Sequence, residues 1–284
     1  MTIQIWYHGN CDDGFGSAWA VSRWFRKHEP LMDINYVPCF YGKEPPPVKK
    51  EDIIYIVDFS YPRPILEQIK DCVTRLTILD HHKTAQEDLK GFPNAIFDMD
   101  RSGAVITWSY FHSQSVPLLL RYVQDNDLWT HKLQAAKAVT RYIRTVPHAF
   151  EAWDKLHDDF ETDMSGIVKK AKAIEKYFQN QIEFNSVIAQ VINCDGHTCP
   201  VINCNTTFIS EMCHLLHEKH QTEIAASFFI DQDSKVIFSL RSAGRIDVSA
   251  IAKKFGGGGH HNAAGFKCSL DNLHRILSSK EFQA

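Results

Sequence analysis

The sequence predicts a two-domain α/β protein: a parallel-sheet domain over residues 1–135, a helical connector over 136–190 and a smaller α/β domain over 191–284. Three observations carry this expectation. Over the first 130 residues, short apolar runs alternate with segments whose apolar residues recur at helical spacing, the pattern of a mostly parallel sheet with helices on both faces. Residues 164–190 then hold Val168, Ala171, Ile174, Phe178, Ile182 and Val187 at spacings of three to five, the stripe of one long amphipathic helix. Beyond it a second set of strand-like runs, with its own helices, closes on the four consecutive glycines 256–259.

Each element has a local reason. Ile3, Ile5 and Tyr7 alternate with polar neighbours as in a strand, and residues 14–27 place Phe15, Ala18, Trp19 and Ser22 at helical spacing. The run 53–59 contains Asp58 near its end, and 62–70 reads as a helix with proline in its first turn. A run at 76–79 ends in Asp80-His81-His82, and a run at 95–97 ends in Asp98. Ser102 suits the cap of a helix over 104–111. Strands are expected at 191–194, 200–204, 224–230 and 236–240, with helices over 207–220 and 247–255 and a hairpin turn at Asp195-Gly196.

Composition excludes several classes of function. With 284 residues, 44% hydrophobic and 23% charged, the chain can bury a sizeable core. Its 31 basic and 34 acidic residues give a net charge of −3, which argues against a duplex-DNA binder relying on a basic surface. The first residues lack the basic start and apolar stretch of a signal peptide, and no apolar run reaches about 18 residues. A cytoplasmic protein without a membrane partner is expected. The eight cysteines contain no C-x-x-C pair, so they read as reduced thiols and not as a structural zinc site. The histidines include two adjacent pairs, His81-His82 and His260-His261.

In a parallel sheet, ligands bind at the carboxyl ends of the strands. That edge collects His8 with Asp12 and Asp13, Asp58, Asp80-His81-His82, and Asp125 with Asp127 after a helix-like segment. One strand-end aspartate is ordinarily a turn residue; four such groups together suggest a site. Carboxylates with a few imidazoles suit manganese or magnesium better than a thiolate zinc site. Two ions about 3.5–4 Å apart would activate a water and clamp a phosphoryl group.

The ordered set of motifs resembles the DHH phosphoesterase family with its DHHA1 domain: residues 8–14 after the first strand, Val57-Asp58-Phe59-Ser60, Asp80-His81-His82, and the glycines followed by His260-His261-Asn262-Ala263-Ala264-Gly265. The resemblance spans about residues 3–130 and 190–270. It implies two Mn2+ ions, with Mg2+ an alternative, held by His8, Asp12, Asp13, Asp58, His81 and Asp125, with Asp127 a weaker candidate and Asp58 as the bridge. It implies contact of His82 with the scissile phosphate, with Asp80 orienting the imidazoles. In the second domain it implies substrate binding by Arg241, Gly258, Gly259, His260, His261 and Asn262. The first motif departs from the family, which has two aspartates separated by one residue, whereas this chain reads Cys11-Asp12-Asp13-Gly14. Asp13 fits the second aspartate, and either Asp12 or Cys11 has the place of the first.

The activity so implied is metal-dependent hydrolysis of short linear oligoribonucleotides, dinucleotides such as pGpG foremost, to nucleoside 5′-monophosphates, with closure of the second domain over the first. Exopolyphosphatase or cyclic-dinucleotide phosphodiesterase activity is an alternative; a degenerate nucleotide-binding protein is another, of a different class. Phe15, Trp129 and Phe266 lie near the motifs and offer rings for base stacking. The apolar stripe of the long helix leaves a homodimer open.

Overall fold

The computed structural model describes residues 2–282. The chain divides into two compact units, Met1–Glu175 and Lys176–Ala284. The first contains β1 (Ile3–His8), α1 (Asp12–His28), β2 (Ile34–Cys39), β3 (Ile53–Val57), α2 (Arg63–Cys72), β4 (Arg75–Asp80), α3 (Lys83–Asp88), β5 (Ala95–Phe97), α4 (Gly103–Phe111), α5 (Leu118–Asp127), α6 (Ala136–Ile143) and α7 (Phe150–Thr162). The long helix α8 (Met164–Ser186) crosses from the first unit into the second.

The strands of the first unit form one sheet in the order β2-β1-β3-β4-β5, and every neighbouring pair is parallel. Alternation along β1 sends Ile3 and Ile5 to one face and Trp6 to the other. Ile3 and Ile5 pack with Val57 and Leu79 of the sheet, Val21 and Phe25 of α1, and Ile106 of α4. Trp6 packs with Ile54, Ile56 and Ile78 of the sheet and with Leu66 and Ile69 of α2. The strand order reverses its direction of growth between β1 and β3, where a doubly wound sheet opens a crevice at its carboxyl edge. His8 ends β1, and Asp58 follows β3.

Two features were not legible in advance. β2 has no strand signature, because it is a half-exposed edge strand that carries Pro38, tolerated only where a ladder hydrogen bond is dispensable. The segment 136–175, expected as connector, belongs to the first unit. Val139 and Ile143 of α6, Trp153, Leu156 and Phe160 of α7, and Ile167 and Ala171 of α8 are buried against Trp19, Leu119 and Leu120.

The second unit holds β6 (Gln190–Cys194), β7 (His197–Asn203), a 3-10 turn (Thr206–Phe208), α9 (Ile209–His220), β8 (Ile224–Ile230), β9 (Val236–Ser242), α10 (Val248–Lys254), β10 (Gly258–His260), β11 (Ala263–Cys268), α11 (Leu270–Ser279) and β12 (Glu281–Phe282). Its mixed sheet runs β10-β11-β9-β8-β7-β6-β12. The expected hairpin joins β6 to β7, with Asp195 and Gly196 at φ 53° and 86°, as a two-residue primed turn requires. Met212, Cys213 and Leu216 of α9 cover one sheet face with Ile182 of α8. Val248 and Ile251 of α10 and Ile276 of α11 cover the other.

Candidate metal centre

The carboxyl edge of the first sheet gathers His8, Cys11, Asp13, Asp58, His81, His82 and Asp127. Three overlapping groups of these side chains place a ligand atom from each member within 4.8 Å of the others: His8 with Cys11 and Asp58, Asp58 with His81 and His82, and Asp13 with His81 and Asp127.

Asp58 is common to two of the groups. It is 1% exposed and adopts φ 54°, a left-handed conformation that aspartate tolerates better than most residues. Its N–H continues the sheet by donating to the Leu79 carbonyl at 2.9 Å. Oδ1 lies 3.1 Å from His81 Nε2, and Oδ2 lies 3.6 Å from His8 Nδ1. Oδ2 is buried without a hydrogen-bond partner, and a buried carboxylate oxygen left in that state is costly. A cation facing it would remove the cost, so the donor set fits a divalent metal. Burial opposes ionisation of Asp58, but the imidazoles of His8 and His81 outweigh it and hold the carboxyl below its usual range.

Asp13 combines two roles. Its carboxylate accepts from the backbone N–H groups of Gly103 at 2.6 Å and Ala104 at 3.0 Å, so a residue of α1 caps α4. Ser102, the expected cap, makes no capping hydrogen bond with its side chain. Burial and the neighbouring charges of Asp58 and Asp127 push the Asp13 carboxyl well above its usual range in the metal-free protein. His81 Nε2 lies 3.6 Å from Asp13 Oδ2 and 3.5 Å from Asp127 Oδ2, so three carboxylates face one imidazole nitrogen.

Two predicted ligands are engaged elsewhere. Asp12 accepts from Arg144 Nε at 3.0 Å and pairs with His148 Nε2 at 3.1 Å. Cys11 stands toward His8 and Asp58 in its stead, because Asp12 and Cys11 leave the start of α1 in different directions. Burial and the charges of Asp58 and Asp13 push the Cys11 thiol up to about 12. Asp125 accepts from the Thr130 hydroxyl and from the N–H groups of Lys132 at 2.8 Å and Leu133 at 3.0 Å, which orders the loop after α5. Asp127, two residues on, turns to His81.

His82 and Asp80 form a separate pair. Asp80 is fully buried; its Oδ1 lies 2.7 Å from His82 Nδ1 and accepts the His81 N–H at 2.8 Å. The hydrogen bond to Asp80, together with the charges of Asp80 and Asp58, raises the His82 imidazole to about 9 against its partial burial. Tyr41, which follows β2, was missed from sequence. The residue is 55% exposed, and its ring lies 5.4 Å from the His8 ring, 4.7 Å from that of Phe59 and 6.2 Å from that of His82. Its only sequence signal is an aromatic residue in a polar loop. Of the three rings proposed for stacking, Phe15 and Phe266 are core residues, whereas Trp129 is 72% exposed.

In the second unit, Arg241 pairs in register with Ala263, which pairs with His260, so Arg241 and His260 flank a small residue in one row. His261 Nε2 lies 3.1 Å from the Gly244 carbonyl, and the Asn262 carbonyl accepts the Ser242 N–H at 3.1 Å. The glycines have a steric reason. A Cβ at Gly257 would sit 2.1 Å from the Gly265 carbonyl oxygen, and one at Gly259 2.5 Å from Ala264 Cα. Gly258 and Gly259 pair with β11, so the run first serves a close strand contact.

The profile of the DHHA1 domain matches residues 185–281. The chain belongs to the DHH family. An uncharacterised protein, R106, of Acanthamoeba polyphaga mimivirus is 32% identical to this DHH chain, over 93% of the chain and 67% of the viral protein. A pGpG-specific phosphodiesterase of Vibrio cholerae, PggH, is similar in structure with a TM-score of 0.54 at 16% identity, covering 98% of this chain and 97% of that one. Exonuclease RecJ bound to manganese gives a TM-score of 0.56 at 13% identity, covering 98% and 88%. The DHH phosphoesterase fold is thus shared by proteins with different substrates. No helix among the described residues is long and apolar enough to cross a membrane.

Proposed function

We propose that this protein is a metal-dependent phosphodiesterase that hydrolyses short linear oligoribonucleotides, dinucleotides such as pGpG foremost, to nucleoside 5′-monophosphates. The observation that carries the reading is Asp58, with one carboxylate oxygen toward His81 and the other, without a hydrogen bond, 3.6 Å from His8 Nδ1. His8, Cys11, Asp13, Asp58, His81 and Asp127 would hold two divalent cations, manganese or magnesium among them. Bound there, such ions lower the pKa of water and neutralise charge on phosphoryl oxygens.

The rest of the reaction falls to side chains. Asp80 fixes the His82 ring through Nδ1, which leaves Nε2 for the phosphate. As an imidazolium, His82 stabilises charge on the phosphoryl group and donates a proton to the leaving oxygen. Burial of Asp13 and Asp58 keeps their carboxylates from bulk water, which strengthens each interaction they make. Tyr41 and Trp129 present exposed rings on which a base can stack. Arg241, beside His260 in the second sheet, has the fork geometry that suits a terminal phosphate. The V. cholerae enzyme, which shares the fold, is specific for such a dinucleotide.

The test is a time course on 5′-phosphorylated oligoribonucleotides from dimer to heptamer with manganese present. Release of 5′-monophosphates, fastest from the dimer, is expected. Consumption of inorganic polyphosphate with every oligoribonucleotide left intact would overturn the reading.

A further inference from the structure

The two halves of the metal centre differ in chemistry. Asp13, Asp58 Oδ1, His81 and Asp127 offer three carboxylates and one imidazole. On the other side of Asp58, His8, Cys11 and Asp58 Oδ2 offer one nitrogen, one sulfur and one oxygen.

Cys11 is the one sulfur in the cluster. It stands at the N-cap of α1 with φ −126° and ψ 136°, where the backbone N–H groups of Gly14 and Asp13 face its sulfur. Its neighbours in the group are an imidazole and a carboxylate, whereas a cysteine packing as a small apolar residue sits among hydrocarbon. A second observation points the same way: Asp58 Oδ2, in a side chain 1% exposed, has no hydrogen-bond partner and faces His8 beside the sulfur. The neighbouring carboxylate cannot substitute, since Asp12 is committed to Arg144 and His148.

Ligand softness then separates the two positions. Thiolate with imidazole and one carboxylate is a zinc-type donor set, and three protein ligands leave a coordination place open, as in catalytic zinc sites. Three carboxylates with one imidazole suit manganese or magnesium. We propose that His8, Cys11 and Asp58 hold a zinc-class cation with the Cys11 thiolate as ligand, next to a manganese or magnesium position formed by Asp13, Asp58, His81 and Asp127. The proposal rests on reading this cluster as a metal centre, and it adds that the two cations are different elements.

Cobalt is the probe, because it takes zinc sites and reports sulfur ligation by colour. The metal-stripped full-length protein is titrated with Co2+, and the near-ultraviolet thiolate-to-cobalt charge-transfer band is followed. Wild type is expected to develop the band to saturation at one equivalent. Cys11→Ser is expected to lose it with an unchanged near-ultraviolet circular dichroism spectrum, while Cys39→Ser, at the end of β2, keeps it. Should Cys11→Ser fold poorly, Cys11→Asp restores a charged ligand: it is expected to lack the band and to bind two tight Mn2+ where wild type binds one. Absence of the band in wild type, its persistence in Cys11→Ser, or two equally tight Mn2+ in wild type would each overturn the assignment. Hydrolysis of dinucleotides without the band removes this assignment alone. A Cys11-dependent band in a protein inert toward every oligoribonucleotide removes the proposed function and leaves the assignment standing.

Discussion

Gly103, the first residue of α4, lies against Asp58 so closely that an added Cβ would be 2.4 Å from the Asp58 Cβ and 2.6 Å from its Oδ1. The helix start and the shared carboxylate are therefore packed with no room for a methyl group between them. Gly103→Ala is expected to displace Asp58, to cost about 1–3 kcal/mol of stability and to lower bound metal well below that of wild type. Thermal unfolding together with elemental analysis of the purified variant measures both.

The two acidic residues at the end of α5 should separate cleanly. Asp127 adds to the carboxylates around His81, whereas Asp125 holds the backbone of Lys132 and Leu133. Asp127→Asn removes a like charge from the cluster, so the metal-free protein is expected to unfold at a higher temperature than wild type while gaining less from added Mn2+. Asp125→Ala takes the carboxylate acceptor from two partly buried amides and is expected to cost about 1–3 kcal/mol, with its metal stoichiometry retained. Melting curves with and without Mn2+ distinguish the two patterns.

The His82–Asp80 pair predicts a pH dependence for the metal-free protein. The imidazole is raised from 6.5 to about 9 in the folded state, so folding favours its protonated form. The stabilisation is complete below pH 6.5 and is lost as the pH rises through about 9. Asp80→Asn should flatten that alkaline decline and return the His82 titration, followed by NMR, toward 6.5. An unchanged titration in the variant would show that Asp80 does not set the imidazole.

Far from the metal centre, Asp154 of α7 joins two helices. It accepts from Trp19 Nε1 at 3.0 Å and pairs with Arg23 and Arg26 of α1. Burial opposes its ionisation, but Arg26 outweighs this and holds the carboxyl below 3.8. Its contribution is therefore present above pH 3.8 and fades as the pH falls through the lower folded value. Asp154→Ala is expected to cost about 1–3 kcal/mol in a urea melt at neutral pH without altering Co2+ or Mn2+ stoichiometry.

Strand ends were the most legible part of the site. An apolar run that stops at Asp80, or breaks at Asp58, marks the carboxyl edge of a buried strand, and the parallel sheet brings such ends together. Choices within a turn were not legible. Cys11 and Asp12 differ by one position at a helix start, and Asp125 and Asp127 by two at a helix end; which of each pair faces the cluster depends on Arg144, His148 and the loop 128–133, none of which the local pattern reveals. The same holds for α6 and α7, whose amphipathic faces read equally well as connector or as core until Trp19 and Leu120 are seen to meet them.

The capping of α4 by Asp13 has a consequence for anions. Helix N-termini commonly cradle phosphate, but here the first two amides of α4 are saturated by a carboxylate of the protein itself. The protein thus offers an incoming phosphate no ready-made amide nest at this end of α4, and a cluster of carboxylates in its place. Attraction depends on His82 and on whatever cations the cluster has captured. Affinity of this edge for simple oxyanions such as orthophosphate then becomes a gauge of metal loading.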